Sequence, residues 1–75
     1  MYEEIIELLS SVRPDLDFAK EDKLISEEKL DSFDVISVLA LLSEKYSVEI
    51  DPEMISEEHF DSARKISLLI ARLTN

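Results

Sequence analysis

The residue best placed to carry chemistry is Ser32. It stands in the string Leu30-Asp31-Ser32-Phe33-Asp34, between a long irregular stretch and the most regular apolar pattern in the chain. A serine at that junction falls in the first turn of a helix. Unpaired N–H groups and the positive end of the helix dipole favour an anion there. The position is therefore suited to hold an anion. The competing reading is that Ser32 only caps the helix.

Other candidates are weaker. His59 is the only histidine, and no glycine-containing nucleophile turn exists to build a triad with it. It reads as a solvated or capping residue. Asp31 and Asp34 share a helix face at i and i+3, but they lack the alternating oxygen ligands of a calcium-binding loop. No dedicated metal site is expected. Phe60-Asp61-Ser62-Ala63 repeats the Asp-Ser pair before another helix. There alanine follows the serine, with Arg64 and Lys65 close behind, so Asp61 or Ser62 reads as an N-cap.

The elements that must position these residues are helical. Ile5, Leu8, Leu9 and Val12 recur at helical spacing and predict a first helix over about 2–12, ended by Arg13-Pro14. Residues 13–30 form a long connection whose Leu16, Phe18, Leu24, Ile25 and Leu30 are expected to pin it over the helices, with a helical turn near 26–29. A second helix begins at Asp31 or Ser32 and runs to about Ser47. At 100° per residue, Val35, Val38, Leu39, Leu42 and Tyr46 form its core face. Phe33, Ile36 and Ala40 fall opposite, beside Ser37 and Glu44. A short helix or turn over 56–60 follows. The last helix, to about Leu73, faces inward with Ala63, Ile66, Leu69, Ile70 and Leu73. The expectation is an all-α bundle of three main helices and one short one, a single domain over 1–75.

Composition sets the class. The chain has 75 residues, no cysteine and no glycine, and a formal net charge of -10. One small domain leaves little room for an enclosed catalytic centre, so no enzyme is expected. Without glycine, phosphate-cradling loops and dinucleotide fingerprints are excluded. Turns at positive φ must fall to Asn, Asp or Ser. Such an acidic surface repels nucleic acid and favours partners with basic patches. No apolar run is long enough to span a membrane, and the opening residues lack a signal-peptide pattern. A monomer in the cytoplasm is expected.

The string Leu30-Asp31-Ser32-Phe33-Asp34 resembles the attachment motif of acyl and peptidyl carrier proteins, in which Asp-Ser precedes a bulky apolar residue. The likeness continues through Val35 to Leu42, Glu44-Lys45-Tyr46, Val48-Glu49-Ile50 and Phe60-Asp61-Ser62 with Ile66, essentially the whole chain. One departure is Lys29, where many carriers have glycine. The resemblance implies an acyl-carrier-like fold with 4′-phosphopantetheine, taken from coenzyme A by a phosphopantetheinyl transferase, attached to Ser32. Asp31 would help to engage the transferase and its magnesium ion. The arm would hold an acyl or aminoacyl group as a thioester and pass it between loading and accepting enzymes. Fatty acyl, polyketide, peptidyl and D-alanyl carriers all resemble the chain.

Phe33 and its neighbours then have two readings. Phe33 either packs under the long connection, or Phe33, Ile36 and Ala40 form a docking stripe with Asp34 and Glu44 meeting basic partner residues. Leu42, Ile50, Ile55, Phe60, Ile66 and Ile70 are candidates to shelter a short acyl chain, or serve as ordinary core. The alternative function is an unmodified helical interaction module that binds a basic partner.

Overall fold

The computed structural model describes residues 1–74. Helix α1 spans Tyr2–Val12 and carries Glu3 and Glu4 in its first turn, where the dipole favours them. It stops at Arg13, whose backbone leaves the helical region (φ -134°, ψ 83°), as a residue before proline is driven to do. Helix α2 spans Ser32–Tyr46, α3 Glu57–Phe60 and α4 Ala63–Thr74. A single 3-10 turn, Pro52–Met54, precedes α3 and is capped by Asp51. Among the described residues the fold is all-α, with three main helices and one short one, as the apolar spacing predicts.

Helix α1 packs against both α2 and α4, and α3 against α4. The core is aliphatic, with Phe18 and Phe60 as its aromatic members. Ile5, Leu9, Val38, Leu42, Ile66 and Ile70 are sealed inside it. Each fully buried Leu, Ile or Phe contributes roughly 1.5–3 kcal/mol. Leu42, Phe60, Ile66 and Ile70 therefore serve as closed core, while Ile50 and Ile55 are only partly covered.

The long connection is pinned as its apolar residues predict: Phe18, Leu24 and Leu30 are buried. Leu24 opens a tight turn that ends like a helix. Lys29 N–H donates to Leu24 O (2.9 Å) and Glu28 N–H to Ile25 O (3.1 Å). This double bond is the Schellman ending, whose penultimate residue must enter the left-handed region. Glycine normally stands there. Here Glu28 takes φ 54°, and Ser47 takes φ 53° at the end of α2. The expectation that such turns fall to Asn, Asp or Ser holds at Ser47 and fails at Glu28. The hydrogen-bonded turn imposes the angle whatever the side chain.

Candidate functional site

The start of α2 is built from three side chains. Asp31, extended at φ -86°, is the N-cap. Its Oδ1 accepts from Asp34 N–H at 2.8 Å, while Asp34 Oδ2 accepts from Asp31 N–H at 3.3 Å. This reciprocal capping box satisfies two of the helix's free donors. The third member comes from the end of α1. Arg13 Nη1 donates to the same Asp34 Oδ2 at 2.7 Å and to Lys29 O at 3.0 Å. Its Nε and Nη2 hold both oxygens of Asp15 at 2.9 Å. The hydrogen bonds it donates to Asp15, and then to Asp34, raise the guanidinium above its ordinary range. The hydrogen bond from Arg13 lowers the Asp15 carboxyl. One guanidinium thus clamps α1, the long connection and the tip of α2 together.

Ser32 is the first residue of α2 and is exposed. Asp31 performs the capping, so Ser32 is not the N-cap. Its hydroxyl makes no hydrogen bond among the described residues. Beside it lies an open groove of about 360 Å³, lined by Ile25, Leu30, Val35, Ile36 and Ile55 with Glu28 and Asp31 as its acidic members. The site therefore offers a free hydroxyl, a helix N-terminus and an apolar groove.

The outward stripe of α2 is bare. Phe33 is 76% and Ile36 65% exposed, and Ala40 and Glu44 are exposed beside them. Phe33 does not pack under the connection. Asp34 departs from expectation: it is buried, 7% exposed, and consumed by the capping box and Arg13. It cannot meet a partner's cation without releasing both. Of the docking acids read from the sequence, only Glu44 remains available.

Two residues position this region in roles that the sequence reading did not give them. Arg13 is one. The other is Asp61, buried at 5% exposure. Its Oδ1 accepts from Ile25 N–H and Ser26 N–H, both at 2.8 Å, and its Oδ2 from the Ser26 hydroxyl. Its carbonyl accepts from Leu24 N–H at 2.8 Å. Burial by itself raises this carboxyl. The hydrogen bonds from Ser26 and Ile25, with the charge of Lys65, outweigh that and hold it below the ordinary range. Ser62, not Asp61, caps α4, accepting from Lys65 N–H at 3.1 Å. Asp-Ser at 61–62 is thus a structural joint.

His59 lines a different groove, between α3 and α4, with Lys65, Leu68 and Arg72. Among the described residues no group of three acidic, histidine or cysteine side chains is arranged to hold a metal ion. Among the described residues no helix is long and apolar enough to cross a membrane. Compared with known protein families, curated proteins and solved structures, the chain gives no match.

Proposed function

We propose that the chain is a non-catalytic carrier that bears 4′-phosphopantetheine on Ser32 and shuttles an acyl or aminoacyl group between partner enzymes. The observation that carries this reading is the exposed Ser32 hydroxyl, unengaged at the N-terminus of a 15-residue helix whose capping is done by Asp31. The residues present suit the group. Free N–H groups of the first turn favour a phosphodiester. The groove walls of Ile25, Leu30, Val35 and Ile36 offer an apolar surface beside it. When attached, the arm supplies a terminal thiol that holds the cargo as a thioester. The serine needs no base of its own, since the transferase removes its proton.

Phe33 and Ile36 supply the apolar contacts for the transferase and for loading and accepting enzymes, with Glu44 meeting their basic residues. A contact of that size gives weak, quickly reversed binding, as a shuttle requires. The same bare stripe also suits an unmodified interaction module, which is the second reading. Incubation with coenzyme A, magnesium and a broad-specificity phosphopantetheinyl transferase separates the two. The carrier gains the mass of one arm, and Ser32→Ala gains none. An unchanged mass in the wild-type chain, beside a control carrier that is modified, discards the carrier reading.

A further inference from the structure

Helix α4 contradicts the charge of the rest of the chain. Over Ala63–Thr74 it carries Arg64, Lys65 and Arg72 and no acidic residue. Three of the eight Lys and Arg of a chain with net charge -10 thus lie on one helix. All three are exposed. None forms an ion pair among the described residues, although Asp and Glu number 18. Arg64 lies over the Tyr2 ring at 5.5 Å, and Lys65 Nζ reaches only the Glu57 carbonyl at 3.3 Å. Between the cations Leu68 is 60% exposed. At 100° per residue Arg64, Leu68, Arg72 and Lys65 span about 100° of arc, a single outward face. A groove of about 390 Å³ runs along it, floored by Leu68, Leu69 and Ala71 and rimmed by Lys65 and Arg72, with Glu58 its one acid. It shares no lining residue with the groove beside Ser32.

We propose that this face docks an acidic amphipathic helix of a partner protein. Lys65, Leu68 and Arg72 stand at i, i+3 and i+7, which places the two cations about 10 Å apart along the axis with the leucine between them. An antiparallel helix with the pattern Glu-x-x-x-Leu-x-x-Glu matches that spacing: its leucine enters the groove over Leu68 and Leu69, and its carboxylates meet Lys65 and Arg72. Duplex nucleic acid and anionic bilayers are poor occupants. They are dense polyanions, and the rest of the chain repels them. A partner protein can confine its acids to the contact. The face stands apart from the proposed attachment of an arm at Ser32 and holds or fails independently of it.

The test is an NMR titration of the full chain, isotopically labelled, with a synthetic helical peptide bearing two copies of that pattern at low salt. Controls carry Gln for Glu or Ser for Leu, and duplex DNA and phosphatidylglycerol vesicles are run in parallel. Saturable shifts confined to residues around Lys65, Leu68 and Arg72 are expected. The affinity should fall about tenfold or more in K65E/R72E and in Leu68→Ser, each with an unchanged circular dichroism spectrum. Absence of saturable shifts overturns the proposal. So does equal binding of the Gln peptide, tighter binding of DNA or vesicles, or a concentration-dependent shift of the same residues without peptide, which assigns the face to a second copy.

Discussion

Arg13 and Asp34 meet at 2.7 Å across 21 residues of sequence, and through that contact the end of α1 holds the beginning of α2. Asp34 is also half of the capping box that sets Asp31 and exposes Ser32. Asp34→Ala removes an acceptor serving both Arg13 and Asp31 N–H and should cost about 1–3 kcal/mol. Urea unfolding of Arg13→Ala, Asp34→Ala and the double variant reads the coupling. The two losses should be non-additive, and strict additivity would show that the pair does not act as a unit.

Ser32→Ala and the pair Phe33→Ser and Ile36→Ser touch exposed positions. Each should change stability by less than about 0.5 kcal/mol. On the carrier reading, Ser32→Ala abolishes modification, whereas the stripe variants slow it while leaving the serine in place. Initial rates of arm transfer, measured against transferase concentration, distinguish a docking defect from loss of the acceptor.

The Asp61 carboxyl is held below the ordinary range in the folded chain. A group depressed in this way adds stability that is complete above its unfolded value, near 4, and is lost as pH falls through the folded value. Asp61→Asn should therefore destabilise the protein at neutral pH, and the gap from wild type should shrink below about pH 4. Thermal midpoints across an acid series check this, and a gap independent of pH would refute it.

Self-repulsion from a net charge of -10 opposes compaction. Added salt screens it, so the thermal midpoint should rise between low ionic strength and the molar range. Chloride salts of sodium and potassium should act alike, because screening does not depend on the cation's identity. A falling midpoint would mean that the ion pairs of Arg13 outweigh the repulsion.

Glu28 occupies a left-handed position that glycine favours (φ 54°). Glu28→Gly should stabilise the fold by roughly 0.5–1 kcal/mol. Its side chain borders the Ser32 groove, so the same variant reports whether that carboxylate influences modification. A loss of stability would mean that the carboxylate makes a compensating contact.

The helices and their inward faces were legible because aliphatic residues repeat at helical spacing, and periodicity is a local signal. The bare stripe of Phe33, Ile36 and Ala40 was legible on the same ground. Asp34 was misread because it lies at the flank of the core face, where an angular projection does not separate solvent from a neighbouring helix. The Asp31-x-x-Asp34 spacing was itself a capping signal. The long-range roles of Arg13 and Asp61 were hidden, since Asp34 and the turn at Ile25 and Ser26 lie 21 and about 35 residues away, and no spacing rule reaches across a connection. Glu28 was hidden for another reason: its angle comes from backbone hydrogen bonds of a turn that has no apolar repeat.

The bonds from Asp61 to Leu24, Ile25 and Ser26 also order events in time. The stretch between α1 and α2 leaves the ribosome before the residue that fastens its middle. Closing a loop of that span costs entropy, which the turn's own bonds between Leu24 and Lys29 offset only in part. The stretch should thus stay fluid until Asp61, just behind α3, has been made.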